Sequence, residues 1–137
     1  MNAILDTGPW VALIDRNESS HYDCVNWLKG FRGHLYSTEA VLTEVMYLLN
    51  FSADAQSAAL DFIIQSVVEL IPMDIESTQK VKSLMNKYAD LPMDYADATL
   101  VCLAADTGIH DIVTLDKKDF STYRLPKGGI FTIHPIK

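Results

Sequence analysis

The sequence predicts a parallel α/β fold, a sheet of short strands covered by helices on both faces. Three observations carry that expectation. Brief apolar runs recur at residues 3–5, 35–36, 70–71, 112–115 and 130–133, each too short for a helix. Longer segments with apolar residues at helical spacing lie between them. The runs are also continuous rather than alternating, which is how strands buried on both faces read.

In chain order, residues 3–5 form the first strand, and Asp6-Thr7-Gly8-Pro9 supplies turn chemistry after it. Pro9 suits the opening of a short helix over 10–14, because a proline is tolerated in a first turn. Residues 15–19 form a loop. Ser19 or Ser20 then caps a helix reaching Gly30, with Tyr22, Val25, Trp27 and Leu28 partly on one side. After the strand at 35–36, Ser37 or Thr38 caps a helix over 39–50, and Ser52 or Asp54 opens another to about Val68. The weak strand at 70–71 is stopped by Pro72. Residues 75–88 form an amphipathic helix in which Val81, Leu84, Met85 and Tyr88 share a face. Asp90-Leu91-Pro92 is a loop, residues 93–106 a helix, and Gly108 its C-terminal cap. No repeat or low-complexity tract interrupts the pattern, so residues 1–137 are expected to form one domain.

Composition is that of a globular chain, 49% hydrophobic and 21% charged. No apolar run approaches the ~20 residues of a membrane helix, and the start lacks the basic region of a secretory signal. A cytoplasmic protein is the expectation. Cys24 and Cys102 lie far apart and read as reduced, buried residues. The four histidines lack metal-binding spacing. The net charge of −7 argues against a general nucleic-acid coat.

Much of that excess comes from five acids: Asp6, Glu44, Asp97, Asp116 and Asp119. Asp6 and Asp116 each follow an apolar strand, and in open α/β sheets the ligand crevice lies at the carboxyl ends of strands. Glu44 has Ala40, Val41, Tyr47 and Leu48 as its helical neighbours. Asp97 has Met93, Leu100, Val101 and Ala104, and it stands too deep in its expected helix to be a cap. Each has a plainer alternative: an Asx-turn or N-cap for the strand-end acids, a water-reaching rim position for Glu44. Asp94 reads most simply as a helix-start acid, and Asp119 as the cap of a short turn. Taken together, acids at two strand ends and on two apolar helix faces make sense if they meet around a cation. Their mutual repulsion would otherwise be severe. Hard oxygen ligands suit Mg²⁺ or Mn²⁺. No Ser or Cys nucleophile with a paired His appears, and a metal-activated water would replace one.

With these residues in place, the chain resembles a PIN domain, in particular the toxin nucleases of VapBC-type toxin–antitoxin systems. The resemblance rests on Ile4-Leu5-Asp6-Thr7-Gly8, Thr43-Glu44-Val45, Asp97-Ala98-Thr99-Leu100-Val101 and Thr114-Leu115-Asp116-Lys117-Lys118-Asp119-Phe120, in that order across nearly the whole chain. It implies a Rossmann-like, three-layer α/β/α fold and a Mg²⁺- or Mn²⁺-dependent endoribonuclease. It implies that Asp6, Glu44, Asp97 and Asp116 form the acidic quartet, with Asp119 accessory and Asp94 a second choice. Thr7 and Thr114 would orient the first and last acids. Arg16, Lys117, Lys118, Arg124 and Lys127 would contact the RNA backbone, or else form ordinary solvated surface. The resemblance also implies a homodimer and an antitoxin partner, with residues 51–68 a candidate apolar patch.

Three other readings compete. Asp6-Thr7-Gly8 is also the motif of aspartic proteases, in which two such units share a proton, but that fold is all-β. A receiver domain would expect paired acids after the first strand and a Lys after the last; here Asp6 stands single and His134 follows the last run. A degenerate PIN-like module would keep the fold and only bind, which the full set of acids argues against.

Overall fold

A computed structural model describes residues 1–91, 93–125 and 127–134. Five strands, β1 (Asn2–Leu5), β2 (His34–Ser37), β3 (Val68–Leu70), β4 (Asp111–Val113) and β5 (Thr132–His134), form one sheet in the order β3-β2-β1-β4-β5. Every neighbouring pair is parallel. The chain winds outward from β1 through β2 to β3, then crosses back to place β4 on the other side of β1. The direction of winding therefore reverses between β1 and β4. Right-handed crossovers running in opposite directions put their helices on opposite faces of the sheet. The predicted parallel α/β/α architecture is the one observed.

Seven helices make those connections among the described residues: α1 (Thr7–Ile14), α2 (His21–Gly30), α3 (Glu39–Leu48), α4 (Ala53–Ile64), α5 (Ile75–Lys87), α6 (Tyr95–Thr107) and α7 (Lys117–Thr122). Helices α1 to α4 pack on one another, and α5 packs on α6. Between them and the sheet lies the core: Ile4, Leu5, Ile112 and Val113 from the central strands, with Trp10, Val41, Val45, Leu100 and Val101 from the helices, all buried. Full burial of such side chains contributes roughly 1.5–3 kcal/mol each. Trp10 also stacks on Phe62, with ring centroids 6.4 Å apart. No helix among the described residues is long and apolar enough to cross a membrane.

Several boundaries depart from the sequence reading, each for a local reason. Helix α1 begins at Thr7, three residues early, because the Asp6 side chain caps it by accepting from the Thr7 amide. Pro9 then occupies its first turn, where no intrahelical donor is needed. Tyr22 is exposed, and Cys24 takes the buried position of α2. Helix α3 stops at Leu48. Helix α4 stops at Ile64, because Ser66 turns the chain with φ 62° and releases Val68 to β3. Helix α6 begins at Tyr95 behind an Asp94 cap, two residues late, and ends at Gly108 with φ 74°, as predicted. Strand β4 ends at Val113, before Thr114 and Leu115, and β5 runs to His134. Helix α7, expected only as a turn, is too short for periodicity to reveal. Pro92, read as part of a loop, lies outside the described residues.

Candidate active site

The strand order fixes where the acids gather. The main chain of Asp6 continues the β1–β4 pairing, its amide donating to the Val113 carbonyl at 3.1 Å. Asp6 therefore emerges at the carboxyl end of β1, beside Thr114 at the end of β4 and at the reversal of the sheet. In open α/β sheets this is where ligands bind. An open cleft of about 440 Å³ lies there, lined by Asp6, Thr7, Gly8, Glu44, Asp94, Asp97, Leu115, Asp116 and Asp119.

Asp6 is only 7% exposed. Its Oδ1 accepts from the Thr7 amide at 2.8 Å and its Oδ2 from the Thr114 hydroxyl at 2.7 Å. Burial nevertheless pushes its pKa up to about 6, and the charges of Glu44 and Asp116 add to the shift against those two hydrogen bonds. Two buried polar contacts brace the surrounding frame. The Ser37 hydroxyl donates to the Leu5 carbonyl at 2.9 Å, and the Thr38 and Thr99 hydroxyls meet at 2.8 Å, joining the start of α3 to α6.

Glu44 reaches the cleft from α3, its Oε1 accepting from the Thr7 hydroxyl at 2.7 Å. Its environment differs from expectation. The buried stripe of α3 is Val41 and Val45, continued by Leu49 just beyond the helix, whereas Tyr47 and Leu48 are 73% and 50% exposed. Glu44 thus stands at the rim of an apolar flank that faces solvent. The threonines also act differently from expectation. Thr114 holds Asp6, the first acid, and accepts the Asp116 amide at 2.9 Å, while the Thr7 hydroxyl holds Glu44.

Asp97 lies in the first turn of α6, shallower than the sequence reading placed it, because the helix starts late. The capping oxygen of Asp94 accepts its amide at 2.7 Å, so Asp94 is the helix-start acid expected. The inward neighbours of Asp97, among them Leu100, Val101 and Ala104, are buried as predicted. Burial, with the nearby charges of Asp94, Asp6 and Asp116, pushes its pKa up to about 8. Asp116 caps α7, accepting the Asp119 amide at 3.2 Å. A hydrogen bond shared with Asp116 comes first in holding the Asp119 carboxyl above its usual range.

These acids share one cleft, yet among the described residues no three of them stand close enough to enclose a metal ion as arranged. Asp94, Asp97 and Asp116 each have one oxygen tied to a protein donor. The donor set itself fits a hard cation: the cleft offers carboxylate and hydroxyl oxygens, and among the described residues no Cys or His lines it. Burial first, and the neighbouring acids second, raise the Asp6 and Asp97 carboxyls, and a cation bound there would favour their ionised forms.

Of the basic residues singled out, Arg16, Lys117, Lys118 and Lys127 are exposed and none lines the cleft. The Arg124 guanidinium is engaged with the carbonyls of Ser121, Thr122 and Tyr123 at the end of α7. Gly8 lines the cleft as part of the motif that follows β1, whereas Tyr123, behind the cleft, escaped the sequence reading. Gly8 faces Leu115, and a Cβ there would stand 3.3 Å from its Cδ1. Tyr123 donates its hydroxyl to Asp97 Oδ2 at 3.0 Å; a lone tyrosine 26 positions from its partner leaves no pattern to detect.

A parallel sheet that reverses at an acid-lined cleft, with the acids drawn from four separate segments, defines a class, and comparison with known proteins agrees. The chain belongs to the PIN domain family, whose model matches residues 3–125. Among individual relatives it is similar to Ribonuclease VapC26 of Mycobacterium tuberculosis, at 29% identity over 134 residues, 96% of this chain and 99% of the relative. Its fold is similar to that of M. tuberculosis VapC20, described as a sarcin–ricin loop cleaving toxin. That match has a TM-score of 0.81 at 18% identity and covers 97% and 99% of the two chains. A toxin–antitoxin complex from Klebsiella pneumoniae matches with a TM-score of 0.69 at 15% identity, over 98% of each chain.

Proposed function

We propose that this PIN-domain chain is an endoribonuclease dependent on Mg²⁺ or Mn²⁺, acting as the toxin of a toxin–antitoxin pair. The observation that carries the reading is the cleft at the β1–β4 reversal, where Asp6, Glu44, Asp97 and Asp116 arrive from four segments. The name of the 29%-identical ribonuclease relative supports RNA as the substrate. Asp6, Asp97 and Asp116 hold the cation, Glu44 adds a ligand or orients water, and Asp119 and Asp94 support them. Such a cation supplies charge stabilisation at the phosphate and a more acidic water.

The protein's own groups prepare that chemistry. Thr114 and the Thr7 amide fix both oxygens of Asp6, and the Thr7 hydroxyl fixes Glu44. Asp97, with its pKa near 8, holds a proton at neutral pH and must release it to serve as a ligand. Cation affinity is therefore expected to rise with pH. Arg16, Lys117, Lys118 and Lys127 are free to follow an RNA backbone toward the cleft, and the reaction belongs in the cytoplasm with its substrate.

Exposed Tyr47, Leu48, Phe51, Leu60 and Ile64 on and between α3 and α4 form the apolar surface offered to a second copy or an antitoxin. The Klebsiella toxin–antitoxin complex, a structural neighbour, supports such a partner. The parallel α/β sheet removes the all-β aspartic-protease reading, and its strand order differs from the 2-1-3-4-5 of a receiver domain. The test is cleavage of RNA by the purified chain with Mg²⁺, Mn²⁺ or EDTA, alongside Asp6→Asn and Asp97→Asn. Cleavage that requires the metal and both acids supports the proposal. Metal-independent cleavage defeats it, and the absence of cleavage with metal present favours the non-catalytic binding module.

A further inference from the structure

We infer that Tyr123 is the residue that positions Asp97, and that α7 braces the third and fourth acids as one unit. This rests on the metal-dependent reading proposed above. Tyr123 follows α7 directly and is 2% exposed. Its ring meets Tyr88 and Phe120 edge-on, each with centroids 5.3 Å away, and Phe120 meets Phe131 in turn at 5.5 Å. The backbone beside it is equally held. The Arg124 amide donates to the Tyr88 hydroxyl at 2.7 Å, and the Tyr123 amide donates to the Asp119 carbonyl at 3.0 Å.

A phenylalanine would fill the same space against the same rings. What the tyrosine adds is a hydroxyl at the tip of a ring that packing has immobilised, and that hydroxyl is spent on Asp97 Oδ2. With Oδ2 fixed, the carboxylate has one orientation, and its other oxygen is left for the cleft. The opposite end of α7 is capped by Asp116. The six-residue helix therefore carries one acid at its start and the anchor of another at its finish, so any displacement of α7 moves both. Residues that orient metal ligands in this way typically change affinity or activity about 10–100-fold when removed.

The experiment compares the full chain with Tyr123→Phe, Phe131→Leu and Asp97→Asn. Mn²⁺ binding is measured by calorimetry and RNA cleavage is followed against Mg²⁺ concentration, with near-UV circular dichroism confirming the fold. Tyr123→Phe is expected to weaken Mn²⁺ binding about tenfold and to raise the Mg²⁺ needed for half-maximal cleavage by a similar factor. KM for RNA stays unchanged, and excess Mg²⁺ restores the rate. Phe131→Leu alters the same aromatic cluster through Phe120, without removing a hydrogen bond, and is expected to leave Mn²⁺ affinity unchanged. The inference is overturned if Tyr123→Phe matches the wild type in both readouts, or if Phe131→Leu shifts them equally, which would make the effect one of packing. If the wild type binds no Mn²⁺ and Asp97→Asn changes nothing, the metal-dependent reading itself fails and takes the inference with it.

Discussion

Replacing Asp6 by Asn should make the metal-free protein more stable while destroying its activity. Asp6 is buried, and its pKa lies near 6 against an ordinary 3.8. A carboxyl raised in the folded state imposes no penalty below the unfolded pKa, where both states are protonated. The penalty grows as pH climbs and is complete above about 6. At 1.36 kcal/mol per pH unit, the charge costs about 3 kcal/mol at pH 8 and only about 1 kcal/mol at pH 4.5. Asn preserves the shape and one acceptor but weakens the contacts with Thr7 and Thr114, which returns about 1 kcal/mol. The net gain at pH 8 is about 2 kcal/mol, or roughly 5–8 °C in melting temperature for a chain of this size. The assay is thermal unfolding of wild type and Asp6→Asn in EDTA at pH 8 and pH 4.5, followed by circular dichroism. Groups remote from Asp6 cancel, so the difference between the two pH values reports the Asp6 charge together with its repulsion of the neighbouring acids. A variant less stable than wild type by the same amount at both pH values would refute the reasoning, because Asp6 would then contribute only hydrogen bonds.

Other consequences are equally direct. Millimolar Mg²⁺ should raise the melting temperature of the wild type, and more at pH 8 than at pH 6, because Asp97 is protonated below about 8; a scan insensitive to Mg²⁺ at both pH values counts against a converged site. Thr114→Val removes the hydroxyl that donates to Asp6 and accepts from the Asp116 amide. It should lower cleavage about 10–100-fold and cost roughly 1–3 kcal/mol in denaturant unfolding, whereas unaltered cleavage would show that Asp6 needs no such support. Leu100→Ala opens a cavity beneath α6 and should cost roughly 2–5 kcal/mol in the same unfolding assay; a loss below 1 kcal/mol would mean that this layer is loosely packed.

The parallel sheet was legible because its strands are buried on both faces, which leaves continuous apolar runs such as Ala3-Ile4-Leu5 beside helical spacing. Asp6 and Asp116 were legible for a related reason: an acid directly after such a run stands at the end of a strand. Boundaries set by capping were harder to read. Asp6 is at once a cleft acid and the cap of α1, so the segment taken for a turn is helical. Asp94 starts α6 late, which brings Asp97 into the first turn while leaving it in the cleft. The apolar neighbours of Glu44 misled because Tyr47 and Leu48 face solvent, and one sequence cannot separate a buried stripe from an exposed apolar flank. Tyr123 was invisible, since its meaning lies in a contact with Asp97 that only the folded chain creates.

The central claim is that separated acids make one cation site that cleaves RNA. It is tested most directly by titrating Mg²⁺ into EDTA-treated protein with an RNA substrate, for the wild type and for Asp97→Asn. The wild-type rate is expected to rise from background to saturation with Mg²⁺, and the Asp97→Asn rate to stay near background throughout. Equal rates for the two proteins, or a wild-type rate indifferent to Mg²⁺, would contradict it.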